Sequence, residues 1–165
     1  MGRTLRILLV EDSEDDALLL LRELRRSGYE PDYERVDTAV GMEAALDARG
    51  WELVISDHSM PTFSSSAALE VLQRRGLDLP FIIVSGNIGE EVAVAAMRAG
   101  AHDYIMKGNL ARLGAAIERE LREAEGRRDA AVSRAWGEPG KRRGVRHSPG
   151  GYLAASGCGR SRCSR

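Results

Sequence analysis

Continuous apolar runs alternate with segments of helical periodicity along the first 125 residues of the chain. Each run is bounded by polar or turn residues, and its unbroken apolar character predicts a strand that is buried on both faces. Such runs predict strands over residues 5–10, where one arginine interrupts the run, and over residues 53–56, 81–84 and 104–106, and a short second strand is predicted over residues 33–36.

An amphipathic helix is predicted after each strand. In the first helix, Ser13 is placed to act as the N-cap, Asp16 completes a capping-box variant three residues later, and Gly28 ends the helix. The apolar faces of the five helices are marked in turn by Leu18, Leu21 and Leu24; Met42, Ala45 and Leu46; Ala68, Leu69 and Leu72; Val92, Ala95, Ala96 and Ala99; and Leu110, Leu113, Ile117, Leu121 and Ala124.

Five consecutive strand–helix units predict an α/β fold: a single doubly wound, five-stranded parallel sheet with five helices, spanning residues 4–125. Ligands of such sheets bind beyond the carboxyl ends of the strands. The residues that follow the strands are therefore the candidates for chemistry.

The charge changes sign near residue 126. Residues 1–125 hold 23 acidic and 14 basic residues, whereas residues 126–165 hold 2 acidic and 10 basic residues and are rich in Gly, Arg and Ser. We expect residues 126–165 to form a disordered tail, because they offer little apolar surface to bury. The alternatives are a nucleic-acid-binding arm, half a metal site at Cys158 and Cys163, and translation in a shifted frame.

Composition excludes several classes of protein. The chain has 165 residues, and no apolar run approaches the roughly 20 residues that a membrane helix needs. It shows neither the apolar core of a signal peptide nor cysteines within the predicted domain that could form a disulfide framework. We therefore expect a cytoplasmic protein with no membrane span.

Charged and hydroxyl side chains stand at four predicted strand ends: Glu11 with Asp12, then Asp57, Ser85 and Lys107. Each alone could be a helix cap, a loop acid, a turn residue or a surface charge. Together, three carboxylates at one edge call for a divalent cation, and Mg²⁺ prefers such oxygen ligands. A hydroxyl and an ammonium group suit phosphoryl oxygens. This set is typical of phosphoryl transfer onto an aspartate.

Lys107 is the only lysine in the first 125 residues, where the other thirteen basic residues are arginines. A lysine in such an arginine-rich segment favours a site that needs a compact point charge instead of a planar fork.

These motifs resemble the receiver domain of two-component response regulators over about residues 4–125. The resemblance rests on the acidic pair at residues 11–12, the segment DHSMP at residues 57–61, Ser85-Gly86 and Lys107. It implies that Asp57 is the phosphoacceptor. It also implies that Mg²⁺ is bound by Glu11, Asp12, Asp57 and the Ser59 backbone carbonyl.

The resemblance also assigns a switch. It implies that the Ser85 hydroxyl and the Lys107 ammonium contact the phosphoryl group and that Tyr104 is the aromatic switch residue. Ser59 and Asn87 match positions that tune dephosphorylation in the family. The implied partners are a histidine kinase or phosphotransfer protein and a downstream protein on the face of helix 4, strand 5 and helix 5, with a homodimer possible. No enzyme is expected beyond a phosphoacceptor that assists its own phosphoryl transfer and dephosphorylation.

Two departures and two alternatives accompany the resemblance. Gly108 replaces the proline that usually follows the family's lysine, and Ser65 replaces a glycine. The segment at residues 107–110 looks like receivers fused ahead of sensor or histidine-kinase modules. A haloacid-dehalogenase-type phosphatase is an alternative, but it expects a second aspartate where Ser59 stands. A flavodoxin-like carrier is another, although Glu11 and Asp12 have the wrong charge for a flavin phosphate.

Overall fold

The computed structural model describes residues 2–86 and 89–136 of the chain. The assignments made above to Asn87, Cys158 and Cys163, and to the segment 137–165, lie outside the described residues.

The fold is the predicted one, a five-stranded parallel sheet in the order β2-β1-β3-β4-β5. The strands are β1 (Arg3–Val10), β2 (Tyr29–Val36), β3 (Leu53–Asp57), β4 (Phe81–Ser85) and β5 (Asp103–Met106). The helices are α1 (Glu14–Arg26), α2 (Ala39–Ala48), α3 (Ser65–Arg74), α4 (Glu90–Ala99) and α5 (Leu113–Trp136), with a 3₁₀ segment at Lys107–Arg112 before α5.

The core is divided by the sheet into two apolar layers. All five residues of β3 and of β4 are buried, as continuous apolar runs between two helical layers should be. One layer packs α1 and α5 against the sheet through residues such as Leu20, Leu24 and Ile117. The other layer includes α2 and α3, through residues such as Met42 and Leu72.

The inward face of α1 differs in part from the prediction. Leu21 and Leu24 are buried with Ala17 and Leu20, but Leu18 is 52% exposed. A run of four leucines at 18–21 surrounds the helix with apolar side chains, so spacing alone did not decide which of them faces the sheet. The buried set has the i, i+3, i+4, i+7 spacing of a helix face.

The predicted apolar face of α4 is wrong at three of its four positions. Val92, Ala95 and Ala99 are exposed, and the partly buried residues are Ala93 and Ala96. No residue of α4, which is described throughout, is fully buried. A helix rich in alanine and valine has apolar residues on nearly every side, so its periodicity is a weak guide to orientation.

The N-cap of α1 is confirmed, because the Asp16 backbone N–H donates to Ser13 Oγ at 3.2 Å. Gly28 follows the end of the helix with φ 88°, a left-handed conformation that glycine adopts without a steric penalty. The chain can therefore turn sharply from α1 into β2.

The end of the domain differs from the predicted boundary at residue 125, because α5 continues to Trp136. Residues 126–136 are therefore helical, where a disordered tail was expected. The Arg127 guanidinium pairs with both carboxylate oxygens of Asp78, at 3.0 Å and 3.1 Å. This segment is rich in alanine and arginine, which are good helix formers, and the shift in charge hid that property.

We expect a chain that ends at Gly126 to lose less than about 1 kcal/mol of stability, because the Arg127–Asp78 pair is exposed and screened by solvent. Thermal unfolding of this chain, of the Asp78→Asn variant and of a chain that ends at Trp136 tests this. The chain that ends at Gly126 and the Asp78→Asn variant should show the same small loss of stability. The chain that ends at Trp136 should unfold at the same temperature as the full chain. A loss of several degrees in the third would show that residues 137–165 pack on the domain.

Candidate functional site

The carboxyl ends of β1, β3, β4 and β5 meet at one edge of the sheet. There, Val10 pairs with Ser56, Asp57 with Val84, and Ser85 with Met106. This register brings the predicted site residues at these strand ends to the same edge. Because side chains alternate along a strand, Asp57 and Lys107 lie on the side of α1 and α5, whereas Ser85 and Tyr104 lie on the other side.

Three carboxylates cluster at this edge. One oxygen from each of Glu11, Asp12 and Asp57 lies within 4.8 Å of the other two. Glu11 and Asp57 are buried, whereas Asp12 is exposed to solvent. Like charges so close together repel, and a divalent cation would remove this repulsion.

The buried oxygens of this cluster fit a hard metal ion. Glu11 Oε2 and Asp57 Oδ1 make no hydrogen bond within the described part of the chain. Burial raises the pKa of Glu11 to about 7, and the Asp57 charge adds to the rise. The Ser13 backbone N–H, which donates to Glu11 Oε1 at 3.0 Å, acts in the opposite direction and lowers this pKa. Buried, unpaired carboxylate oxygens of this kind are suitable Mg²⁺ ligands, with water completing the coordination.

Lys107 faces the same carboxylates from the end of β5. Its Nζ lies 3.4 Å from Asp57 Oδ1 and 3.5 Å from Glu11 Oε2, and it forms an ion pair with Asp16 Oδ2. Burial acts to lower the pKa of Lys107, but the Asp16 hydrogen bond and the Glu11 and Asp57 charges outweigh it and raise that pKa. Lys107 therefore keeps its positive charge beside Asp57.

Asp16 is a site residue that sequence reasoning did not identify. It was interpreted only as part of the α1 cap, whereas its carboxylate contacts Lys107 across 91 positions of the chain. One signal was available, since Asp16 lies one helical turn after Asp12. That spacing points its side chain back toward the same edge of the sheet.

Ser85 and Tyr104 share the other side of the edge. Ser85 Oγ and the Tyr104 hydroxyl are both buried and lack a well-formed hydrogen bond among residues 2–86 and 89–136. Burial raises the pKa of Tyr104, while the nearby Ser85 hydroxyl lowers it and the Asp57 charge raises it. The Tyr104 hydroxyl thus lies near Ser85 and is influenced by the Asp57 charge.

The loop after β3 carries the remaining assigned residue, Ser59, which is exposed. Sequence reasoning missed the pair that shapes this loop. His58 donates its backbone N–H to the Val84 carbonyl at 3.0 Å, and its Nδ1 lies 3.0 Å from the buried Ser65 Oγ. Ser65, noted above only as a departure from the family's glycine, thus ties the start of the loop to the start of α3.

The decisive comparison is with protein families. The model of the response regulator receiver domain matches residues 7–118. The chain belongs to the response regulator receiver family. The match confirms the resemblance drawn from the motifs, and nothing in the comparisons supports the haloacid-dehalogenase alternative. The receiver domain is thus a phosphoacceptor-type module of two-component signalling.

Individual relatives agree with this assignment. The transcriptional regulatory protein PrrA of Mycobacterium tuberculosis is 32% identical over 102 residues, which are 62% of this chain and 43% of PrrA. The structure of NtrX from Brucella abortus has a TM-score of 0.68 and 30% identity, covering 81% of this chain and 29% of that one. The receiver domain of a protein described as a Luxo repressor from Vibrio parahaemolyticus has a TM-score of 0.67 and 25% identity, covering 77% and 97%.

The chain spans less than half the length of the regulators PrrA and NtrX. The similarity therefore concerns the receiver domain and not the outputs of those proteins. Among the described helices, none is long and apolar enough to cross a membrane.

We expect the Asp12→Ala variant to bind Mg²⁺ at least about tenfold more weakly than the wild type, because it loses one of the four protein groups expected to hold the ion. Its stability without metal should rise, since repulsion among the carboxylates falls. Amide chemical shifts during a Mg²⁺ titration measure the affinity, and Asp15→Ala, an exposed acid of α1, is the control. Equal affinities in Asp12→Ala and wild type would contradict the metal site.

Proposed function

We propose that this receiver domain accepts a phosphoryl group on the Asp57 carboxylate, from the phosphohistidine of a kinase or phosphotransfer protein. The observation that carries the proposal is the position of Asp57 Oδ1. This atom is buried, lacks a hydrogen bond within the described residues, and lies 3.4 Å from Lys107 Nζ among further carboxylates.

The proposed step is a displacement at phosphorus. An Asp57 carboxylate oxygen forms a bond to the phosphorus atom while the bond from phosphorus to the histidine nitrogen breaks, and that nitrogen leaves with the electron pair. The product is an acyl phosphate on Asp57. Hydrolysis of this acyl phosphate by water returns the free carboxylate and inorganic phosphate.

The residues at the sheet edge have distinct proposed tasks. Glu11, Asp12, Asp57 and the Ser59 carbonyl hold Mg²⁺, which, when bound, neutralises charge on the phosphoryl oxygens. Lys107 contributes a second positive charge beside Asp57. The buried and unpaired Ser85 hydroxyl is available to donate a hydrogen bond to the phosphoryl group.

We further propose that phosphorylation moves Ser85 and Tyr104 together and changes the face made by α4, β5 and α5. That face offers exposed apolar side chains, including Val94, Met97 and Met106. α4 is also loosely held, because no residue of it is fully buried. A downstream protein, or a second copy of the domain, is the proposed binding partner there, and the proposed setting is the cytoplasm.

This coupling predicts a defined spectroscopic result. Beryllofluoride, which mimics a phosphoryl group, should shift the amide signals of α4 and β5 as well as those of the site loops. The reason is that it interacts differently with the domain before and after Ser85 and Tyr104 have moved. The Ser85→Ala variant should keep the loop shifts and lose most of the α4 shifts. Shifts confined to the loops in the wild type would contradict the coupling.

The acceptor assignment is tested by direct labelling. The protein is incubated with acetyl phosphate and Mg²⁺, and its intact mass is expected to rise by one phosphoryl group. Hydroxylamine should remove the group, as it does from acyl phosphates, and borohydride reduction followed by peptide mapping should locate it at Asp57. Incorporation that resists hydroxylamine, or that maps to another residue, would overturn the proposal.

A further inference from the structure

The Lys107 ammonium lies among three carboxylates but is not shared equally by them. It donates a hydrogen bond to Asp16 Oδ2, whereas Glu11 Oε2 and Asp57 Oδ1, at 3.5 Å and 3.4 Å, have no hydrogen-bond partner among the described residues. In the unphosphorylated domain, the lysine is therefore bound to a residue outside the set assigned to phosphoryl chemistry.

We propose that Asp16 is a positioning residue that holds Lys107 in the unphosphorylated domain and competes for its ammonium with the phosphoryl group on Asp57. Only the second part of this inference, the competition with the phosphoryl group, rests on the proposed function of Asp57. The contact between Asp16 and Lys107 is independent of that function.

The surroundings of Asp16 make the hold reversible. Its side chain is 34% exposed, so water can solvate the carboxylate when the lysine leaves. Glu11 and Asp57 are buried and lack that compensation. A phosphoryl group carries more negative charge than a carboxylate and has more acceptor oxygens, so it is the stronger competitor for Lys107.

The lysine needs to move only a short distance between the two acceptors. The lysine stem is flexible, and Lys107 Nζ already lies 3.4 Å from Asp57 Oδ1. The change from Asp16 to the phosphoryl group therefore needs only a side-chain movement and no shift of α1 or β5.

The first test observes the ammonium group without any phosphoryl ligand. The chain contains two lysines, Lys107 and Lys141, so the ¹⁵N-ammonium spectrum has two side-chain signals and Lys141 is the internal reference. In Asp16→Asn, which keeps the side-chain shape, the Lys107 signal should shift and its hydrogens should exchange faster. Asp15→Asn removes the same charge from the same helix and should change neither. An unchanged Lys107 signal in Asp16→Asn would overturn the proposal.

The second test measures competition through beryllofluoride affinity in the presence of Mg²⁺. Asp16→Asn should bind beryllofluoride about two- to fivefold more tightly than wild type, the effect of losing one partly exposed ion pair. In a Lys107→Met background, the same substitution should have no effect, because there is no ammonium group to release. A gain that persists in this background would assign the effect to the general field of Asp16 and overturn the competition.

The two tests separate this proposal from the proposed function. Beryllofluoride binding by wild type together with an unchanged ammonium signal in Asp16→Asn would reject the inference alone. No beryllofluoride binding by wild type would reject both the proposed function and the competition.

Discussion

Replacing Asp57 with asparagine is expected to abolish phosphoryl incorporation from acetyl phosphate. An amide oxygen carries no formal charge and is a far weaker nucleophile than a carboxylate, while the shape of the side chain is kept. Asp57 is buried at the end of a fully buried strand, which holds its Oδ1 atom 3.4 Å from Lys107 Nζ. Intact-mass measurement during incubation with acetyl phosphate and Mg²⁺ gives the extent of incorporation.

Asp37 provides the matched control for this experiment. It directly follows β2, as Glu11 directly follows β1, at the same edge of the sheet, but it is exposed and belongs to no cluster of potential metal ligands among the described residues. Asp37→Asn should therefore incorporate phosphoryl at the wild-type rate. Incorporation at that rate by Asp57→Asn would refute the assignment, whatever residue carried the group.

Sequence reasoning succeeded where chemistry and burial coincide along the chain. Strands β1, β3 and β4 each contain an apolar run, and a polar residue stands directly after that run. The run and the reacting group were therefore visible in one short segment. Parallel pairing then brings the strand ends to one edge regardless of the details of packing. This is why Glu11, Asp57 and Lys107 could be grouped before any geometry was known.

The edge strand β2 shows where that reasoning fails. It was predicted over residues 33–36, but it begins at Tyr29 and contains Pro31, a residue tolerated in edge strands. Only Tyr29 and Val36 are buried in it. An edge strand with little buried surface has no apolar run, so the pattern detects only its end.

The contact between Asp16 and Lys107 was beyond the sequence for a different reason. It depends on the distance between the first turn of α1 and the end of β5, which is set by packing of α1 and α5 on the sheet. The domain boundary was set at residue 125 because a change in charge was interpreted as the end of order, although a fifth helix running on as far as Arg134 had also been considered. Both errors concern how helices are placed or end, which apolar periodicity does not determine.

The metal-free domain is expected to lose stability as the pH rises from about 4.5 to above 7, because Glu11 becomes charged in a buried site. Its pKa is about 7 in the folded domain against an ordinary value of 4.5. The folded state therefore holds a proton that the unfolded state has released. Stability from this group is fully present below pH 4.5 and is lost as the pH rises through 7. The difference between the two pKa values corresponds to about 3 kcal/mol.

The Glu11→Gln variant should remove this dependence. At pH 8 and without metal, its free energy of unfolding should exceed that of wild type by up to about 3 kcal/mol, and at pH 4.5 the two should be similar. Urea unfolding at pH values from 5 to 8 measures the slope, and Glu70→Gln, an exposed acid on α3, should keep the wild-type slope.

Mg²⁺ should reverse the order of stability of wild type and the Glu11→Gln variant. The ion binds the charged form of Glu11, and above the dissociation constant it stabilises the folded state by an amount that grows with the logarithm of its concentration. Saturating Mg²⁺ should therefore stabilise wild type at pH 8 and have less effect on Glu11→Gln. If the Glu11→Gln variant showed the same pH slope as wild type, the buried charge would have to be elsewhere. If Mg²⁺ stabilised both proteins equally, Glu11 would not be part of the metal site.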